Sequence, residues 1–304
     1  MNIFTRQKGT GLLELKQDDR DFSLGKMFGQ AILKDIPDSY IVKDPIPEVK
    51  DQKATDFCSA YASTSSSEKQ EGIKLSPEYQ FNATKRISGQ PEKWGATLRD
   101  AMKSFTEYGS VEQSRVDLFM ENNGFGKYDR DMIVNFSSWE DLDFFARKHK
   151  KESYFKVDGS YDHFDNIRSA IWKHKKEQST VVCGILWRID WNRLDTGIVK
   201  DKSNKDGFGH AFEIIGWKQI DKKTYLVARL SNGLNFGDNG TYYLPRNIVN
   251  SEMERYGSFM FKDMKREEVD FLIENNLSKE SMTITVFIMR LLSAIKEIFK
   301  AWYN

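Results

Sequence analysis

Gln52, Cys58 and His210 stand at spacings that permit acyl transfer. Gln52 precedes Cys58 by six positions, and His210 opens an apolar run 152 residues (210 − 58) after the thiol. Cys58 lies near the start of DFCSAYASTSSSEKQE, residues 56–71, which contains neither Pro nor Gly and reads as a helix buried along its length. A thiol at a helix N-terminus feels the positive end of the dipole, which favours thiolate, and a histidine brought alongside holds the proton as imidazolium. The oxyanion of the tetrahedral intermediate then needs donors, and the Gln52 amide and the Cys58 backbone N–H supply two. A depressed Cys58 pKa is the corresponding expectation.

The elements that must position these residues are legible in part. Pro37, Pro45 and Pro47 exclude helix from the lead-in to Gln52 and favour extended chain. Asp56 is the expected N-cap of the Cys58 helix. LSPEYQFNATKRI and TLRDAMKSFTEYG predict two further amphipathic helices, the second ending at Gly109. DNIRSAIWKHKKEQ predicts one more helix, whereas STVVCGILWRI, HAFEIIGWK, KTYLVARLS and GTYYLP are β-rich runs bounded by turn residues. A helical half followed by a β half predicts an α+β chain of two lobes with a cleft between them. Residues 110–160 and 190–208 carry no recognisable pattern.

Composition excludes several classes. Over 304 residues, 46 basic minus 45 acidic side chains leave +1 with no long run of either sign, which argues against a nucleic-acid-binding tail. Cys58 and Cys183 are the two cysteines, too few for a disulfide framework or a zinc cluster, so neither a metal nor another cofactor is expected. Cys183, inside VVCGIL, reads as core; His149, His163 and His174, set among charged residues, read as solvated surface. Residues 1–25 lack an apolar run of signal-peptide length, so an intracellular location is expected. From Met282 to Tyr303, apolar residues fall on one helical arc with Arg290, Ser293, Glu297 and Lys300 opposite, an amphipathic helix rather than a membrane span. Its apolar face has three candidate resting places: its own domain, a protein partner or second copy, and a membrane surface.

QKATDFCSAYA resembles the Q-x5-C segment of papain-like cysteine peptidases, and GHAFEIIGW resembles their histidine strand. KWGATLRDAMKSFTEYGSV resembles the stretch in which paired small residues, here Gly95 and Ala96, let substrate backbone lie against the cleft wall. FGDNGTYYLP resembles the W-G-x-x-G-Y end of the asparagine motif, with Phe236 in the aromatic place, and FDNIRSAIWKHKKEQSTVVCGILW resembles the helix and strand before the histidine. The resemblance covers roughly residues 36–262. It implies a papain-like two-lobe peptidase domain over 36–265, an N-terminal extension over 1–35 and a C-terminal helical appendage over 266–304. It further implies Cys58 as nucleophile, His210 as proton carrier, Gln52 as oxyanion donor, Gly95 and Ala96 as substrate wall, and a peptide or protein as substrate. Thirty-five residues are fewer than the long helical prodomain of lysosomal members, which points to the prodomain-poor bacterial and phage homologues.

One position departs from the pattern. Family members carry an Asn that orients the histidine, in N-S-W-G, where this chain reads LSNG at 230–233. Aligned without gaps, Leu230 falls on the Asn and Asn232 on the Trp; a two-residue slip gives Asn232 the orienting role. The departure leaves a rival reading open, a papain-like domain of weak or no activity serving as a structural or binding part of a larger assembly such as a virus particle. A peptidoglycan or isopeptide hydrolase built on the same dyad is a third.

Overall fold

The helix that starts at Cys58 is buried on almost every side, and its composition explains how it packs. Small hydroxyl and alanine side chains (Ser59, Ala60, Ala62, Ser63, Thr64, Ser66, Ser67) let it lie close to a sheet, and some of their hydroxyls find partners within the helix or across to the sheet side. Ser63 Oγ donates to Ser59 O at 2.9 Å, and Thr180 Oγ1 donates to Ser66 Oγ at 2.8 Å. In this computed structural model the described residues are 11–16, 18, 21–28, 33–46, 48–157, 162–200 and 206–262. The chain divides into residues 1–263 and 264–304; the second unit, and with it the amphipathic helix expected over 282–303, lies outside the described residues. Among those residues no helix is long and apolar enough to cross a membrane.

In chain order the elements are α1 (Leu24–Phe28), β1 (Tyr40–Ile41), α2 (Cys58–Glu71), α3 (Pro77–Ser88), α4 (Leu98–Glu107), α5 (Gln113–Asn122), α6 (Arg130–Ile133), α7 (Asp143–Ala146) and β2 (Tyr154–Lys156). There follow α8 (His163–Lys173), β3 (Val181–Arg188), β4 (Gly207–Ile220), β5 (Lys223–Arg229), β6 (Thr241–Pro245), α9 (Arg246–Glu252) and β7 (Ser258–Phe261). The strands form one antiparallel sheet in the order β2-β7-β3-β4-β5-β6, with β1 pairing β4 beside the bulge between Ile214 and Gly216. Helices from the first half and a sheet from the second make an α+β architecture, as the residue patterns predict. Missing from that reading are α1, α5 to α7, α9, β2 and β7, which fall where no periodicity is long enough to register.

α3 and α4 begin as their sequences demand: Ser76 Oγ accepts from Tyr79 N at 3.2 Å with Pro77 in the first turn, and Thr97 Oγ1 accepts from Asp100 N at 3.1 Å. α2 has no such cap. Asp56 lies two residues before its start, Phe57 stands at the cap position without a side-chain bond, and the Asp56 carboxylate turns to Gly95 N. A buried ion network fastens α2 to β4: Lys69 Nζ reaches Glu213 Oε2 at 2.8 Å and Asp44 Oδ2 at 3.3 Å.

Cys183 is fully buried in β3, as expected. The three histidines assigned to the surface are buried instead. His149 meets Glu71 at 2.7 Å, and His163 Nε2 meets Ser258 Oγ at 2.9 Å. His174 packs edge-on against Phe28, and burial lowers its pKa to about 4. Charged neighbours in sequence misled because the groups that meet His149 and His163 come from 78 and 95 residues away.

Candidate active site

The residues 52–57 that lead to Cys58 form a tight frame. Gln52 Nε2 donates to Thr55 O at 2.8 Å, Thr55 Oγ1 donates to Gln52 O at 2.7 Å, and Ser231 Oγ donates to Gln52 Oε1 at 2.6 Å. Gln52 N also donates to Ser231 O at 2.8 Å, and Asp51 bridges Asn232. The glutamine is thus held from both sides, six positions before Cys58, and a second amide hydrogen on Nε2 remains to be directed. Residues 50–52 and 231–233 are brought together by this pairing, so Gln52 and Asn232 belong to one wall.

Cys58 is the first residue of α2, where the dipole argument placed it. The sulfur lies against β4, with the Ala211 backbone N–H directed at it, and so next to His210 in the strand. Its pKa moves opposite to expectation. Burial pushes the thiol up to about 12; the backbone N–H groups of Ala211, Ser59 and Cys58 pull it down, and the Asp56 charge adds to the rise. Cys183 reaches about 12 by burial as well. Closure of the site outweighs the helix terminus.

His210 pairs with Ile185 across the β3–β4 ladder, and its ring lies edge-on to Trp187 at 5.8 Å between centroids and 6.3 Å from Phe212. Cys58, Gln52, His210 and Asn232 are all 0% exposed, and Leu230 is 2% exposed.

What closes the site is the N-terminal segment. Leu12 N donates to Gly209 O at 3.1 Å, Leu13 N donates to Ala96 O at 3.0 Å, and Ala96 N donates to Gly11 O at 2.9 Å. Residues 11–13 therefore run between the strand of His210 and the wall of Gly95 and Ala96, joining the two sides. Leu12 enters the apolar cluster that holds Cys58 and Ala211, against Gly184 and Tyr256. Close approach explains the glycines here. A Cβ on Gly95 (φ +80°) would stand 2.0 Å from Gly11 O, and one on Gly11 (φ +122°) would strike Asp56. The length of the extension gave no sign of this role; the signal available in sequence was GTGLL, a glycine beside two leucines in an otherwise polar stretch.

Comparison with known proteins agrees with the geometry. The chain is similar in fold to xylellain, a cysteine protease from Xylella fastidiosa, with a TM-score of 0.66 at 18% identity over 86% of this chain and 98% of that one. It is similar to procathepsin B S9 of Trypanosoma congolense (TM-score 0.59, 13% identity, 84% and 87% coverage) and to digestive procathepsin L 3 of Tenebrio molitor larval midgut (0.55, 16%, 79% and 75%). No curated protein matches it by sequence. The sequence model of the papain family cysteine proteases matches residues 36–261, three quarters of the chain and every element from β1 to β7. With a glutamine-framed thiol at a helix start, a histidine on the adjoining strand and a small-residue wall across the groove, this chain belongs to the papain family of cysteine proteases.

Proposed function

We propose that the chain is a cysteine endopeptidase held in a latent state. Cys58 Sγ attacks the substrate carbonyl carbon, and the oxyanion is met by Gln52 Nε2 and the Cys58 N–H. His210 passes its proton to the leaving amine, and then takes one from the water that hydrolyses the thioester. The observation that carries this reading is the segment 11–13, which makes with Ala96 and Gly209 the backbone hydrogen bonds that an extended peptide makes in a groove. Leu12 on Gly184 and Tyr256 supports a preference for an apolar side chain there. While the segment stays, Cys58 is dehydrated and its thiol is the stable form; departure of the segment readmits water and lets the dipole act.

The orienting role falls to Asn232 in this reading. Pairing of β4 with β5 ends with Glu213 opposite Arg229. Carried three residues on in the same antiparallel register, it sets Asn232 (229 + 3) opposite His210 (213 − 3) and Leu230 opposite Phe212. Leu230 and Phe212 line one small cavity, in accord with that register. Asn232→Ala is then expected to lower kcat about tenfold to a hundredfold by freeing the imidazole tautomer. Leu230→Asn is expected to lower stability by about 1–3 kcal/mol through an added buried polar group, with no gain in kcat. A fluorogenic peptide assay and denaturant melts read both; a gain of kcat in Leu230→Asn gives the orienting place to residue 230.

Gln52→Ala is expected to lower kcat by about ten- to a thousandfold with little change in KM, the consequence of removing one oxyanion donor. Unchanged kcat removes Gln52 from the mechanism. The direct test of the function is labelling by a peptidyl electrophile with an apolar side chain, after displacement of residues 11–13, followed by mapping of the adduct. Adduct on Cys58 and none on Cys183 is the expected result. Absence of both label and turnover in a folded, opened chain leaves the papain-like domain as a structural or binding module.

A further inference from the structure

Three charged side chains converge behind the Gly95–Ala96 wall, outside the site of chemistry. Asp56 is fully buried; its Oδ2 accepts from Gly95 N at 2.6 Å, and Arg130 Nε lies 3.2 and 3.1 Å from its two oxygens. Arg130 Nη2 donates to Pro91 O at 2.9 Å and to Lys93 O at 2.7 Å. Lys85, 1% exposed, reaches out of α3 and donates to Gln90 O at 3.2 Å, Lys93 O at 2.5 Å and Gly95 O at 2.5 Å. Burial lowers its pKa to about 8, against the opposing pull of Asp56, so it is charged at neutral pH, where three carbonyls take its three N–H groups.

We infer that Asp56, Arg130 and Lys85 are positioning residues that hold the 95–96 peptide so that Ala96, and not Gly95, presents its N–H and C=O to the groove. This clamp deepens the peptidase reading, on which its relevance to substrate rests. Gly95 spends both backbone groups inward, its N–H on Asp56 and its C=O on Lys85. A trans peptide plane points C=O and the following N–H in opposite directions. Lys85, by drawing Gly95 O into the body, therefore turns Ala96 N–H outward to where Gly11 O receives it at 2.9 Å. Asp56 ties that wall to the residue two places before Cys58, so the groove edge and the nucleophile share one fixed frame. Buried charge at this place is costly unless it is fully hydrogen-bonded, and each of the three is bonded to the wall or to another of the three.

The test needs no turnover. In the full chain the Leu13 amide is bonded to Ala96 O, and its hydrogen exchange reports the orientation of the wall; the Tyr61 amide, bonded to Phe57 O at 2.9 Å within α2, reports global opening. Lys85→Met and Arg130→Met are each expected to speed exchange at Leu13 at least tenfold and at Tyr61 less than twofold, with Arg130→Lys restoring most of the Leu13 protection. An unchanged Leu13 rate in both Met variants overturns the inference, as does an equal acceleration at both amides, which marks a merely structural role. A chain that fails every peptidase assay while showing the local effect sinks the peptidase reading and leaves the clamp standing. Arg130, 15% exposed in its side chain, supplies a variant that folds should Lys85→Met not.

Discussion

Cys58→Ala should abolish peptide turnover by about 10⁴- to 10⁶-fold while leaving the chain folded, because a buried Cys and an Ala differ by one sulfur in a well-packed cluster. Only Cys58 combines the first turn of α2 with three backbone N–H groups directed at its sulfur, and no other thiol exists within reach, Cys183 being held in β3 with its Sγ 3.8 Å from Val181 O. His210→Ala should cost nearly as much. The informative measurement is the double variant: two groups acting as one nucleophilic unit give a combined loss close to either single loss, whereas independent contributions multiply. Losses that multiply, or a Cys58→Ala chain that still cleaves, would separate these residues from the chemistry.

Release of the N-terminal segment is the second large effect. Leu12→Asp in the full chain puts a carboxylate where Leu12 is 6% exposed against Gly184 and Tyr256. Loss of that apolar side chain and burial of a charge together disfavour docking by roughly 3–5 kcal/mol, and each 1.4 kcal/mol is a tenfold shift between closed and open sites. Peptide turnover should rise about a hundredfold or more. Alkylation by iodoacetamide at pH 6 should shift in parallel: slow at both thiols in the parent chain, where burial raises each pKa to about 12, and fast at Cys58 alone once the segment leaves. Rehydration removes the burial that contributes most to the raised Cys58 pKa and leaves the N–H groups that lower it. If Leu12→Asp alkylates and cleaves as the parent does, residues 11–13 are not what holds the site shut.

The sequence by itself determined the family and the scaffold, and the reason is locality. Whether Cys58 begins a helix, whether His210 lies in a strand, and whether α2 is buried all round are decided by runs of a dozen residues whose period and punctuation are visible in the chain; the strand itself opens three residues earlier, at Gly207. The same locality explains the failures. Asp56 reads as a cap because caps are local, yet its oxygens bond Gly95, 39 residues away, and Arg130, 74 away. His149, His163 and His174 read as surface because their neighbours are charged, yet Glu71 and Ser258 come from elsewhere in the chain to meet the first two. Letters at LSNG leave two alignments open, whereas the β4–β5 pairing, which ends with Glu213 opposite Arg229, is a property of two strands. The largest decision left to the tertiary structure is the protonation of Cys58. A helix N-terminus is written in the sequence, but dehydration is not, because it depends on packing with a segment some 45 residues upstream; there burial outweighs the dipole and keeps Cys58 a thiol.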